Sequence, residues 1–270
     1  MFESIKGAIA RSEASSGSKN FMKLEAGNTY TVRLLPDVKN PANSLYRYYT
    51  FGWPSYATGA FIRVNSPVSI GQRCPISEER VKIYRTGTED EKEKVKKVKR
   101  SENWLVNAYV VNDPVNPDNN GKVKIIRFGR QLNKVIQQAI TGDEAEDFGP
   151  RIFDLSSNGC SLLIKVEKQG DYPTYVSSKF RTPKEIEGLS SDNYQKVYDS
   201  AFDLASLVQF KSFDEIKAIF DQHYHCVGVS PTAALAVAKA AAAPEPNEGW
   251  EKTSSGADHE VDKLLAQLES

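Results

Sequence analysis

The residues best suited to do chemistry lie between 97 and 130, in KVKRSENWLVNAYVVNDPVNPDNNGKVKIIRFGR. Lys99 and Arg100 close a basic cluster just before Trp104. Lys122, Lys124, Arg127 and Arg130 follow a Pro/Asn/Gly stretch with no acid among them. Ammonium and guanidinium groups attract phosphates without regard to base sequence. Flat aromatic rings offer faces on which unpaired bases stack. The chemistry implied is non-covalent: a surface that holds single-stranded nucleic acid. Tyr84, Tyr109, Phe128, Tyr172 and Tyr175 are further aromatic candidates, the last two in GDYPTY near Lys179 and Arg181. Trp104 and Tyr109 are five positions apart, so one regular strand points them to opposite faces. Trp104, close to Lys99 and Arg100, is the expected platform, and Tyr109, between Ala108 and Val110, is expected in the core. Phe128, Tyr172 and Tyr175 stay open between core and platform.

Covalent chemistry finds little support. The chain has no Walker loop, no GxSxG and no HExxH. The acids of DEAED at 143–147 read as a solvated loop, with a two-metal nuclease as the remaining catalytic alternative. Cys74 is followed by Pro75, but residue 77 is Ser, so there is no CxxC pair. His223, His225 and Cys226 form an HxHC cluster that lacks a fourth ligand at zinc-finger spacing. Three cysteines in 270 residues do not make a disulfide framework.

The elements that must position these residues are mostly strands. TYTVRLLP alternates and ends at Pro36, as a β-strand does. Residues 45–64 are rich in aromatics with Gly and Pro between them, the pattern of short strands and tight turns. A short helix is expected at 76–85, and the charge run from Glu89 to Arg100 is expected to be exposed. Asn103–Val111 and Lys122–Phe128 read as strands joined by a long turn, which would bring the basic clusters 92–100 and 122–134 together. Gly129–Ile140 has helical spacing of Leu132, Val135, Ile136 and Ala139. Cys160–Glu167 reads as a buried strand, and 191–208 and 212–224 as helices. The class is mainly β with α elements, and an oligonucleotide-binding barrel fits best.

Net charge is zero, yet it is unevenly placed. Residues 231–270 hold seven acids against three lysines, a net of −4 that leaves +4 on residues 1–230. A basic body with an acidic tail points to nucleic-acid or partner binding. PTAALAVAKAAAAPEPNEG reads as a low-complexity linker. In HEVDKLLAQLES, Val261, Leu264, Leu265 and Leu268 recur at helical spacing in a segment suited to folding on a partner. No apolar run reaches the length of a bilayer span. MFESIKGAIARSE lacks a signal-peptide core, so a cytosolic protein is expected.

VVNDPVNPDNNGKVKIIRFGR, GCSLLIKVEKQGDYPTYVSSKF and FDLASLVQFKSFDEI resemble the core of the T-even-type bacteriophage single-stranded DNA-binding proteins, the helix-destabilising proteins of replication, over about residues 28–225. The resemblance implies a non-catalytic protein with an oligonucleotide-binding core at 21–229 containing an inserted subdomain. It also implies flexible termini: an arm at 1–20 and a linker with acidic tail at 230–270. Arg33 in TVRLLP matches a cleft arginine, and Tyr84, Arg100, Trp104 and Arg127 match cleft positions. Tyr172 and Tyr175 match the aromatic pair of a binding loop, and Lys196 a cleft lysine. Ile126 stands where the family commonly has tyrosine. The family's zinc is held by one His and three Cys. Here only Cys74 is retained and Ser77 replaces a second Cys, so the expectation is no cofactor, with Tyr48, Phe51, Trp53, Tyr56 and Phe61 filling the space.

By the same resemblance the arm drives cooperative self-association along the strand. Lys6, Arg11 and Ser12 would carry it, since Arg11-Ser12-Glu13 recurs as Arg100-Ser101-Glu102. The acidic tail would recruit phage replication and recombination proteins and screen the cleft. The location implied is the cytoplasm of the infected bacterial host, with no membrane partner. An RNA-binding translational regulator using the same cleft, and a purely structural interaction protein, are the competing readings.

Overall fold

The stretch from Trp104 to Val110 is buried at every position, on both strand faces. Such a strand needs a separate cover for each face. The structure, a computed structural model, describes residues 19–170 and 172–228. The expectations for Lys6, Arg11, Ser12 and the acidic tail therefore lie outside the described residues. The strands are β1 (Thr29–Leu35), β2 (Tyr46–Pro54), β3 (Phe61–Ser66), β4 (Lys99–Asn112), β5 (Val123–Phe128), β6 (Leu162–Lys165), β7 (Glu167–Gln169), β8 (Tyr172–Thr174) and β9 (Lys179–Phe180). The helices are α1 (Pro75–Thr86), α2 (Glu89–Lys96), α3 (Arg130–Thr141), α4 (Tyr194–Asp199), α5 (Leu204–Leu207) and α6 (Phe213–His223). No helix among the described residues is long and apolar enough to cross a membrane. The described chain forms two units, residues 19–46 with 104–207 and residues 47–103 with 208–228.

In the first unit β1 pairs antiparallel with both β4 and β6, β5 pairs antiparallel with β4, and β9 with β6. The order is thus β5-β4-β1-β6-β9. No pairing among the described residues joins β5 to β9, so the fold is a mixed α/β arrangement around an open sheet, and no closed barrel is detected. Alternation sends Tyr30, Val32 and Leu34 of β1 and Trp104, Val106, Ala108 and Val110 of β4 into one core. Helix α3 covers that face with Leu132, Ile136 and Ala139, the spacing its sequence predicts. The other face holds Leu35 and Tyr109. It is covered by Leu155 and by Ile186, Leu189, Tyr194, Val197 and Tyr198 of the segment 181–203. The expected helix at 191–208 is two short ones, α4 and α5. The chain between them turns so that Phe202 exchanges two hydrogen bonds with the Asn107 carboxamide, at 2.8 and 3.0 Å.

In the second unit the β2–β3 hairpin, α1, α2 and α6 enclose a core of Phe51, Trp53, Val64, Cys74, Ile76, Ile83, Val95, Val98, Ile216, Phe220 and Tyr224. The run Glu89–Arg100 differs from the expected exposed stretch. Thr88 and Glu91 form a capping box, α2 follows, and Val95 and Val98 are buried beneath its exposed charges. Ser212 and Glu215 cap α6 in the same way. Phe220 stacks on Tyr224 with ring centres 4.5 Å apart and meets Trp53 edge-on at 5.5 Å. Phe220→Ala should therefore destabilise the second unit by about 3–5 kcal/mol, read as a lower denaturant midpoint for the Trp53 fluorescence transition.

Candidate nucleic-acid interface

The β7–β8 hairpin is built from the turn-rich sequence EKQGDYPT. Gly170 takes φ +62°, the left-handed turn conformation that glycine adopts without steric cost. The register Glu167↔Thr174, Lys168↔Pro173, Gln169↔Tyr172 places Tyr172 at the tip, 40% exposed. The hairpin is tethered to α3. Gln131 Oε1 accepts from the Tyr175 amide at 2.9 Å and from Thr174 Oγ1 at 3.1 Å. The two aromatics expected as a pair thus separate, because Tyr175 is 8% exposed and joins the first core. Lys168 is exposed on the hairpin, and Lys179, Arg181 and Lys184 are exposed on the segment that follows it. Lys165 is engaged with Glu167 at 2.7 Å, and that contact, with Ser177, holds the Glu167 carboxyl below its ordinary range. Gln131 escaped the sequence reading: nothing local marks a glutamine that bonds 44 residues away.

The cations of β5 do not share a face. Alternation groups Lys124 with the core residues Ile126 and Phe128, and Arg127 with Val123 and Ile125. Arg127 is exposed and pairs in register with Leu105. Lys122 is exposed, whereas Lys124 is half-buried and donates to the Lys19 carbonyl at 2.7 Å. Desolvation, then the charge of Lys122, lowers the Lys124 ammonium's pKa. Arg130 opens α3 and is half-buried, and Lys196 is exposed on α4.

Two of the expected contact residues, Trp104 and Arg33, are packed inside the first unit. Trp104 is 7% exposed and stacks on Phe128, with centres 6.2 Å apart and planes at 14°. The expected open platform is thus largely covered, since the register Trp104↔Phe128 sets the two rings against each other inside the core. Tyr109 is buried as expected, on the opposite face. Arg33 is 0% exposed, and desolvation lowers its pKa. Its guanidinium donates to carbonyls within the first unit.

In the second unit Lys99 is exposed, Tyr84 is half-buried against the core, and Arg100 is 8% exposed with its guanidinium 4.0 Å from the centre of the Tyr49 ring. The 113–122 turn leads into the β4–β5 pairing, which runs from Tyr109↔Val123 to Trp104↔Phe128. Asp113 organises that turn, accepting from the amides of Val115 and Asn116 and from Asn119 Nδ2 at 2.8–3.0 Å.

The family described as "gp32 DNA binding protein like" matches residues 26–223, and the chain belongs to it. The single-stranded DNA-binding proteins of Enterobacteria phage T2 and Enterobacteria phage T4 are each 30% identical over 147 residues, 53% of this chain and 49% of the relative. The chain thus spans about half the length of the curated relatives it matches.

The residues present do not fit a zinc ion. Cys74 lies in the apolar second core, and among the described residues no group of three or more His, Cys, Asp or Glu is placed to hold a metal. His223 Nδ1 is 2.9 Å from Ser55 Oγ, and the His225 ring lies edge-on against Phe220 and Tyr224. Of the aromatics expected to fill the space, Phe51 and Trp53 share the core with Cys74, and Tyr56 packs beside it. Tyr48 is buried, whereas Phe61 is exposed at 38%. Phe220 and Tyr224 take the filling role that Phe61 was given, and only the fold brings α6 to Cys74. Treating the purified protein with EDTA should leave its Tm unchanged, and elemental analysis should find no stoichiometric zinc.

Proposed function

We propose that this chain is a non-catalytic protein that binds single-stranded DNA cooperatively and without sequence preference, coating the strand during phage DNA replication, recombination and repair. The observation that carries the reading is the tethered β7–β8 hairpin, which presents Tyr172 at its tip and Lys168 on its first strand, with Lys179, Arg181 and Lys184 exposed on the segment that follows it in the chain. Membership of a DNA-binding family over 26–223, and the single-stranded DNA binding named for the phage T2 and T4 relatives, support it. The open sheet with its helices is read as an oligonucleotide-binding core at 21–229, flanked by an arm at 1–20 and an acidic tail at 230–270. Lys99, Lys122, Arg127, Arg130, Lys179 and Lys196 supply phosphate contacts. Tyr172 stacks on a base. Stacking accepts any base, and a protein that holds only the single strand melts duplex by mass action without a nucleotide fuel. Lys6, Arg11 and Ser12 carry self-association, the tail docks replication and recombination proteins, and the host cytoplasm is the setting.

Titration with oligo(dT) at several salt concentrations tests the reading. Tyrosine fluorescence should be quenched and affinity should fall steeply with salt. Tyr172→Ala should weaken binding by about 1–3 kcal/mol, while Trp104→Ala should instead cost about 3–5 kcal/mol of folding stability. Absence of salt-dependent binding would overturn the assignment, and preference for RNA oligomers in competition would favour a message-binding regulator. Truncation after residue 244 removes seven acids and two lysines, Lys252 and Lys263, a net charge of −5. Affinity at low salt should rise in that truncation and converge with the full chain as salt screens the tail.

A further inference from the structure

We infer that Arg33 is a positioning residue: it never touches nucleic acid, and it fastens the segment bearing Lys179, Arg181 and Lys184 to the first unit's sheet. The inference rests on the DNA-binding reading for its consequence, but its geometry stands apart from that reading. Alternation along β1 turns Arg33 away from Tyr30, Val32 and Leu34 and onto the face of Leu35, beneath the segment 181–203. There the side chain is fully buried.

A guanidinium has five N–H donors in a rigid planar fork. Here the fork meets acceptors at every nitrogen. Nη1 donates to the carbonyls of Asp154 and of Ser156, the latter at 3.3 Å. Nε and Nη2 both donate to Ser161 Oγ, at 3.3 and 3.2 Å, and Nη2 also donates to the Lys184 carbonyl at 2.9 Å. These five hydrogen bonds match the five donors, so none is left to point at a phosphate. The Asp154 carboxylate is turned to its own loop, accepting from the Ser156 amide and hydroxyl at 2.8 Å each. Gly159 completes the cradle, since a Cβ there would collide with Arg33 Nη1 and with the Asp154 carbonyl.

Besides the apolar contacts of Ile186 and Leu189, the segment so held has little backbone pairing to the sheet. β9 pairs with β6 only at Leu162↔Phe180 and Leu163↔Lys179. Beyond it the Arg181 amide donates to Ser161 O at 2.9 Å and the Lys184 amide to Gly159 O at 3.2 Å. Arg33 ties the same two stretches together from beneath, through Ser161 and Lys184. Side chains do the same further along: Tyr198 Oη donates to Phe153 O at 3.1 Å and accepts from the Leu155 amide at 3.2 Å. Lys179, Arg181 and Lys184 are exposed on a ribbon whose course depends on a buried cation.

The test compares Arg33→Lys, Ser161→Ala and Lys184→Ala in the full-length chain. Each is read by oligo(dT) affinity across salt and by amide hydrogen exchange at Arg181 and Lys184. Arg33→Lys keeps the charge but cannot span the acceptors. It should lower affinity about tenfold and speed exchange at Lys184. Lys184→Ala removes one exposed cation and leaves the clamp, so the salt slope should shrink by about 0.7 with exchange unchanged. If Arg33→Lys does not fold, Ser161→Ala, which removes one acceptor, carries the comparison, with faster Lys184 exchange expected. Wild-type affinity, slope and exchange in Arg33→Lys, or unaltered exchange in Ser161→Ala, would overturn the inference. A wild-type chain without salt-dependent DNA binding would overturn the functional reading instead, and the exchange comparison would still decide whether the clamp exists.

Discussion

Burial of β4 on both faces is the constraint on which the first unit depends. A strand with one wet face needs one cover. Trp104–Val110 has none, so two covers must be found from distant sequence. Helix α3 supplies one and the segment 181–203 the other. The first cover brings Gln131 to the β7–β8 hairpin and so sets Tyr172 at an exposed tip. The second is a weakly structured ribbon, and it is fixed by side chains that reach out of the sheet: Arg33 from β1 and Asn107 from β4.

Arg33 in the first unit is buried, and Lys94 in the second half-buried, with carbonyls or rings rather than carboxylates as their partners. Arg33 is compensated by backbone carbonyls and one hydroxyl. Lys94, in the second unit, donates to the Tyr224 carbonyl at 2.9 Å and lies 4.7 and 4.4 Å from the centres of the Tyr56 and Tyr224 rings. Desolvation lowers the pKa of its ammonium. A carbonyl or ring face stabilises charge through fixed dipoles or a quadrupole and adds no titrating acid. The same rings that hold Lys94 adjoin the core in which Cys74 sits, so aromatic packing organises a region that lacks a metal-ligand set among the described residues.

Much of the fold was legible from residue order. The alternation of TYTVRLLP, the apolar Asn103–Val111, the stripe of α3 and the short helix at 76–85, observed as α1, each appear where pattern predicts them. The capping box at Thr88 was equally present in the sequence, but the surrounding charges masked it. Legibility of the site was poorer. Tyr172 and Arg127 are exposed, yet Tyr175 and Arg33 have the same residue types and are buried, as is the aromatic Trp104. Residue type states what a side chain can do, while burial decides whether a ligand can reach it.

By itself, the sequence determined the local periods, the supply of cations and aromatics, and the absence of a second cysteine near Cys74. Those properties depend on neighbours within a few positions, which any reading of the chain can see. Only the tertiary structure decided which rings face inward, which cations share a face and which arginine is spent on carbonyls. Those outcomes depend on strand register and on contacts such as Arg33 with Lys184, 151 positions apart. A shift of one residue in register would exchange the two faces and reverse every such assignment.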